Sequence, residues 1–562
     1  CMRLDLLSSR TPRGTLVLFT MKTTLCLAVL LGVVALAAAK NSTVFVQTPL
    51  GGITGWKNSD STRMFLGIPF AEPPVGDLRW KAPVPPAAYG SNYDALMYKP
   101  ACYQTNNTFT ILNEVSEDCL YLNVYAPDEA TSKDLPVMIF FYGGSWASGA
   151  ASFLLYDGME DVHYSNDVIM VTVNYRLNVF GFLGSTQLAD EDPTHSTGNA
   201  GLQDQRLSMK WVKQNIAAFG GDPNNVMIFG ESAGAGSVSN HLIMPQSNGL
   251  FQRAGMESGP IADWTAQPLY AAQDKFNTVS ANLGCSEKTG EDLLSCMRAF
   301  DSYTVFEASR SAPGALMHDL VWGPVIDGVE ILDDPRKLAA AGKFNKVPVL
   351  LGTNMDEGTL FVKASHDLNV TGMYEFVSEL FGEETGSLVM QQYPLSNYSK
   401  DHPENTAWWA LTHVFGDSQM SCPARQTARW LSKATGHPVY LYFFDHILEI
   451  IKLFVPFKGC CHGSELPFVF DFHPAFLGKG ELPLAEQFVR YWTRFATSGD
   501  PNGGSDPVWP AYEEATDMNI EMNLTVSAMS GLKNELCNFW DAHQLPLSHI
   551  WKNGTILRRD VF

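Results

Sequence analysis

Gly230-Glu231-Ser232-Ala233-Gly234 is the stretch of this chain best suited to covalent chemistry. The apolar run Val226–Phe229 leads into it, and small residues lead out of it to His241. A sharp strand-to-helix turn of this kind holds its middle residue in a strained backbone conformation. It displays that residue's hydroxyl at a strand end, with a helix N-terminus behind it. Side chains at Gly230 or Gly234 would crowd such a turn. The competing reading is a glycine-rich connection with an incidental serine, and the flanking strand and helix weigh against it. A serine nucleophile needs a base, an acid that orients the base, and donors for an oxyanion. In this type of turn the partners follow in the order nucleophile, acid, histidine. After Val347–Leu351 comes Gly352-Thr-Asn-Met-Asp-Glu-Gly358, which offers Asp356 and Glu357 and does not choose between them. After Val439–Phe444 comes Gly459-Cys-Cys-His-Gly-Ser-Glu-Leu-Pro-Phe468. There His462 sits among small residues in a loop, a setting that suits a mobile imidazole near a substrate, but it is one of 13 histidines in the chain and the segment alone does not single it out. The donors would be the backbone amide of Ala233 and those of the loop Gly143-Gly144-Ser145. Such chemistry needs no metal and no cofactor.

These groups meet only if several strands end at one edge of a sheet. Leu120–Tyr125, Pro136–Tyr142, Val168–Asn174, Val226–Phe229, Val347–Leu351 and Val439–Phe444 read as strands. Most are apolar without clean alternation, as expected of strands covered on both faces. Helical stretches such as Gly201–Phe219 lie between several of them. The spacing predicts an α/β fold with a mainly parallel sheet and helices on both sides. Thr43–Gly55 predicts a hairpin, and the Pro- and Gly-punctuated Phe65–Trp80 predicts irregular structure. No repeat or linker divides the chain, so residues 40–562 are expected to form a single domain.

The 562 residues carry a net charge of -21, which disfavours nucleic acid and anionic membranes as partners. Met21-Lys22, the apolar run Leu25–Leu36 and Ala37-Ala38-Ala39 predict a secretory signal peptide cleaved before Lys40. Residues 1–20 precede that methionine, and 1–39 are set apart from the fold. No later run is long enough for a membrane span. Six sequons, at Asn41, Asn106, Asn369, Asn397, Asn523 and Asn553, fit a secreted glycoprotein. Of 10 cysteines, all but Cys1 and Cys26 would remain after cleavage, in a compartment that favours disulfides.

Taken together, the motifs resemble those of the type-B carboxylesterases, the cholinesterase-like α/β-hydrolases. The resemblance runs over roughly Val44 to Trp540. It rests on Phe65–Arg79, Glu117-Asp-Cys-Leu-Tyr-Leu-Asn-Val124, Phe141-Tyr-Gly-Gly144, Asn174-Tyr-Arg176, Gly181-Phe-Leu183, Gly201-Leu-Gln-Asp-Gln-Arg206 and Phe219-Gly-Gly-Asp-Pro223. Phe229–Gly234, Pro324–Gly328, Asp356–Gly358 and His462-Gly463 complete it. The resemblance implies an α/β-hydrolase fold, with Ser232 as nucleophile, Glu357 as acid and His462 as base. It implies an oxyanion hole from Gly144, Ser145 and Ala233, with Glu231 and Ser258 supporting the triad. It also implies the disulfides Cys102–Cys119, Cys285–Cys296 and Cys422–Cys537, and the ion pairs Arg79–Glu117 and Arg176–Asp204. The substrate would be a small, uncharged ester of short to medium acyl chain.

Four departures bear on specificity. Ser145 stands where many members of the family have a third glycine, and its side chain would narrow the mouth of the hole. The Cys102–Cys119 loop holds Tyr103 and Phe109 but no tryptophan, which removes the cation–π partner that cholinesterases offer a quaternary ammonium. His318, Leu320 and Trp322, ahead of Pro324, lack the paired phenylalanines of an acetyl pocket. Cys460 and Cys461 precede His462, and two free thiols are expected rather than a vicinal disulfide. The rival readings are a lipase for longer chains, a cholinesterase, and a non-catalytic adhesion or storage protein on the same fold.

Overall fold

Apolar segments pack side by side in the middle of one large sheet. A computed structural model describes residues 42–58, 62–110, 114–128, 134–158, 162, 167–313, 321–454, 456–471 and 477–543. The signal-peptide segment, Asn41, Asn553, His318 and Leu320 lie outside the described residues. Twelve strands form the main path: β1 Ser42–Thr48, β2 Gly51–Lys57, β3 Thr62–Pro69, β4 Tyr121–Pro127, β5 Leu135–Phe141, β6 Ile169–Val173, β7 Gly221–Glu231, β8 Arg253–Glu257, β9 Val349–Asn354, β10 Val439–Phe444, β11 Met518–Met522 and β12 Ser527–Ser530. Their order is β1-β2-β3-β4-β6-β5-β7-β8-β9-β10-β11-β12, and the short strand Gly90–Asp94 pairs with β2. From β6 to β11 neighbouring strands are parallel, while both flanks are antiparallel. This is the α/β-hydrolase fold. β5, β6 and β9 are buried at every residue, which explains their lack of alternation.

The hairpin expected over Thr43–Gly55 is β1–β2. The irregular structure expected from Phe65 begins only after Pro69. β3 runs through Gly67 because a register shift between Phe65 and Ile68 accommodates it, with Gly67 at φ +71° and its N–H on Asn123 Oδ1 at 2.9 Å. β7 starts at Gly221 rather than Val226, but its register breaks between those two residues. Helix α1, Ala200–Asn215, continues as a 3₁₀ turn, Ile216–Phe219, and stops at Gly220 in the left-handed region. Disulfides join Cys102–Cys119, Cys285–Cys296 and Cys422–Cys537. Arg79 lies 2.5 Å from Glu117, and Arg176 lies 2.7 Å from Asp204.

The registers place the functional side chains. Phe141 pairs with Gly230, Glu231 with Glu257, and Glu257 with Gly352. The carboxyl ends of β5, β7, β8, β9 and β10 therefore open on one edge, where ligands gather in parallel sheets. Among the described residues no helix is long and apolar enough to cross a membrane.

Candidate active site

β7 ends at Glu231, and α2, Ala233–Ile243, begins immediately after Ser232. Ser232 sits at φ 57°, ψ -126°, a conformation that costs an L-residue on the order of 1–3 kcal/mol. The surroundings hold it there. Its N–H donates to Glu257 O at 2.8 Å, and its carbonyl accepts from Gly236 N at 2.8 Å. A Cβ at Gly230 or Gly234 would collide with the carbonyl oxygen of Phe141, so both positions must be glycine for β5 to come this close. Gly143 is as confined, because a Cβ there would meet Ser232 Cβ and Glu231 Oε2, each at 2.7 Å.

The structure separates the two neighbouring carboxylates. Glu357, fully buried, accepts from Ser258 Oγ at 2.5 Å and from Asn354 N at 2.7 Å through Oε1. Its Oε2 lies 2.5 Å from His462 Nδ1. Asp356 points elsewhere: Oδ1 is 3.3 Å from His413 Nε2, and Oδ2 accepts from Cys460 N at 2.8 Å. Its backbone N–H also donates to Cys460 O at 3.0 Å, so Asp356 grips the loop that carries His462. Ser258, at φ 53°, reaches Glu357 from the end of β8.

His462 Nε2 lies 3.1 Å from Glu231 Oε1 at ion-pair distance, without the alignment of a hydrogen bond. Among the described residues no hydrogen bond links Ser232 Oγ to His462. The elbow and the His462–Glu357 pair are thus side by side, with Glu231 holding the imidazole edge that would face the serine. Such contacts are often loose before substrate binds.

Charge is concentrated here. Glu231, Glu257, Glu357 and Glu465 are all buried. Burial opposes protonation of His462, but Glu231, Glu357 and Glu465 outweigh it and push the imidazole up to about 9. Burial raises Glu231 to about 7, with His462 pulling down and Glu357 pushing up. Burial, then Glu231 and Glu357, raises Glu465 to about 8, although Asn354 donates to it. Glu465 was not singled out in the sequence, although it lies in the His462 loop.

Across from the elbow, Gly144, Ser145 and Trp146 all have positive φ, at 109°, 58° and 53°. A Cβ at Gly144 would strike the carbonyl of Ser148, whereas half-buried Ser145 has room for its side chain. Among the described residues, the N–H groups of Gly144, Ser145 and Ala233 donate to no protein acceptor, which leaves three amides for a ligand oxygen. Phe361 packs on the His462 ring at 4.8 Å. No group of His, Cys, Asp and Glu among the described residues could hold a metal ion.

The residues tied to specificity are placed as follows. Tyr103 packs on Phe180 and Phe306 at 5.4 and 5.6 Å, and Phe109 on Phe153 at 5.0 Å, so both rings are engaged by protein. Trp322 is buried. Cys460 and Cys461 are free thiols facing different partners, Phe444 O at 3.2 Å and Ser464 Oγ at 3.3 Å. Asn106, Asn369 and Asn397 are exposed, whereas Asn523 is half-buried and its Nδ2 donates to Asp445 at 2.5 Å.

An elbow, a buried carboxylate–imidazole pair and free amides at the carboxyl edge of this sheet define a hydrolase site. The model of the Carboxylesterase family matches residues 42–540, and the chain belongs to that family; it is a carboxylic ester hydrolase. It is 35% identical over 518 residues to "Acetylcholinesterase" of Bungarus fasciatus, covering 86% of this chain and 82% of that one. It is 35% identical over 525 residues to "Carboxylesterase 5A" of Canis lupus familiaris, covering 86% and 85%. Among solved structures it is similar to a "PNB esterase", with a TM-score of 0.76 and 32% identity over 89% of this chain and 100% of that one.

Proposed function

We propose that the protein is a secreted serine carboxylesterase acting through Ser232, His462 and Glu357. The observation that carries this reading is the 2.5 Å contact from Glu357 Oε2 to His462 Nδ1 beside a serine at φ 57°. Glu357 fixes the tautomer, so Nε2 is the nitrogen that takes the Ser232 proton as Oγ attacks the ester carbonyl. The amides of Gly144, Ser145 and Ala233 receive the oxyanion. His462 then protonates the leaving alcohol, and water attacks the acyl-enzyme with His462 again as base. Ser258 holds Glu357 in place, and Glu231 stabilises the imidazolium from its other side.

The substrate in this reading is a small uncharged ester of short to medium acyl chain. Tyr103 and Phe109 are occupied by neighbouring rings, and no tryptophan lies between Cys102 and Cys119, which supports a non-choline alcohol. Secretion and glycosylation rest on the leader-like 21–39 and on the exposed Asn106, Asn369 and Asn397. The test is phosphonate labelling followed by turnover of aryl esters from acetyl to decanoyl. Label on Ser232, with activity abolished in Ser232→Ala, is expected. Folded protein that hydrolyses esters with Ser232 unlabelled would overturn the assignment, and thiocholine esters as best substrates would overturn the specificity.

A further inference from the structure

The proposed oxyanion hole has two halves from distant parts of the chain, and one buried hydroxyl bonds a residue next to each: the Trp146 indole beside Gly144-Ser145, and the Ala233 carbonyl one peptide past the Ala233 N–H. Ser237 lies one turn along α2 from Ala233, and its Oγ donates to Ala233 O at 2.9 Å. The same oxygen accepts from Trp146 Nε1 at 2.9 Å and from Gln205 Nε2 at 3.1 Å. A serine hydroxyl has one donor and two acceptor positions, and here all three are used. Ser237, Gln205 and Trp146 are all completely buried, so water cannot replace a missing partner.

We propose that Ser237 is a positioning residue that ties the Gly144–Trp146 loop to the first turn of α2, which carries the Ala233 N–H, and so fixes the geometry of the oxyanion hole. The proposal rests on the reading that these amides receive the oxyanion. Ser145 and Trp146 are successive non-glycine residues in the left-handed region, which persists only where surrounding contacts over-determine it. Trp146 supplies those contacts. Its carbonyl accepts from Asn178 N at 2.7 Å, and its indole N–H reaches Ser237. The ring also packs on Trp264 at 5.8 Å and Phe182 at 6.2 Å.

The clamp extends into α1 and the far end of α2. Gln205 Oε1 lies 3.0 Å from His241 Nε2, and His241 Nδ1 lies 2.9 Å from Ser247 Oγ. Gln205 spends its amide N–H on Ser237, so its oxygen must accept and His241 must carry the proton on Nε2. Ser247 then donates to Nδ1. Every bond runs in one direction, from Ser247 through His241 and Gln205 to Ser237 and Ala233 O. Burial, reinforced by Arg206, holds His241 down at about 3, so the imidazole stays neutral and the direction does not reverse near neutral pH.

The test is a double-mutant cycle between Trp146→Phe, which removes the indole N–H and keeps a ring, and Ser237→Ala. Two readouts are used: kcat per active site titrated with a phosphonate, and affinity for a trifluoromethyl ketone, which becomes an oxyanion when Ser232 adds to it. A displaced amide should cost each single variant on the order of 10²-fold in kcat and ketone affinity, with KM nearly unchanged. The double variant should be no worse than the worse single one. A purely structural role would lower the number of titratable sites and leave kcat per site at the parent value, which would overturn the proposal. Losses that multiply in the double variant would also overturn it. If Ser237→Ala does not fold, Trp146→Phe alone must show the kcat loss at unchanged KM. Ser232→Ala separates the two readings. Activity surviving in it defeats the site assignment, whereas its loss alongside full kcat in Trp146→Phe and Ser237→Ala defeats only the clamp.

Discussion

His241, far along the helix that leaves the elbow, and His462, beside the elbow, are both buried, yet their proton affinities move in opposite directions. His241 faces the hydroxyl of Ser247 and the amide of Gln205, and burial with Arg206 takes it down to about 3. His462 suffers the same burial but faces Glu231 and Glu357, with Glu465 behind, and is pushed up to about 9. Burial is common to the two, so the neighbours decide the outcome. Uncharged partners make a fixed dipole, suited to holding a loop. Carboxylates make a site that can carry a proton, which is what the proposed mechanism asks of His462.

The largest effects test that division. His462→Ala should lower kcat/KM by on the order of 10⁴-fold or more while the protein stays folded. His241→Gln should cost no more than about 10²-fold, because it acts only through placement. Equal losses, measured against folded protein by near-UV circular dichroism, would break the contrast. Next come the adjacent acids. Glu357→Gln should cost on the order of 10⁴-fold in kcat. Asp356→Asn should cost under about tenfold, since an amide oxygen can still accept from Cys460 N. The reverse ranking would move the acid to Asp356.

The elbow was legible in the sequence because its parts are contiguous: an apolar strand, two glycines and a serine fix the turn locally. The parallel centre was legible for a similar reason, since strands buried on both faces show as unbroken apolar runs. The acid was different. Asp356 and Glu357 are neighbours of the same charge, and what separates them is Ser258 Oγ and Asn354 N converging on Glu357. Those contacts come from another strand and from backbone, so only the family resemblance pointed to Glu357. Gly67 read as a breaker because a register shift leaves no mark on hydrophobic pattern. Gln205 and His241 fall within stretches the sequence drew attention to, but neither they nor Ser237 received a role, since buried polar residues become meaningful only once their partners are known.

A smaller effect concerns activity against pH. The Glu231 carboxylate raises His462, so removing its charge must lower the imidazole's proton affinity. Glu231→Gln should therefore shift the acid limb of kcat/KM to lower pH, since His462 becomes a free base sooner as pH rises. A limb that stays put or moves upward would remove Glu231 from the set of groups that tune His462.

The smallest effects are in stability, and there the two histidines should differ in sign. An unfolded histidine titrates near 6.5. Folded His241 refuses a proton down to about 3, so the unfolded chain binds more protons between those values. The stability owed to this group is present above pH 6.5 and drains away as pH falls. Folded His462 keeps its proton up to about 9, so its contribution is full below pH 6.5 and is lost as pH rises through 9. Urea unfolding of the parent, His241→Gln and His462→Gln from pH 4.5 to 9 reads both. The parent's advantage over His241→Gln should shrink toward acid, and its advantage over His462→Gln should shrink toward alkali. If the two advantages change in the same direction, the carboxylates around His462 do not hold a proton on it, and its difference from His241 would be one of position and not of charge.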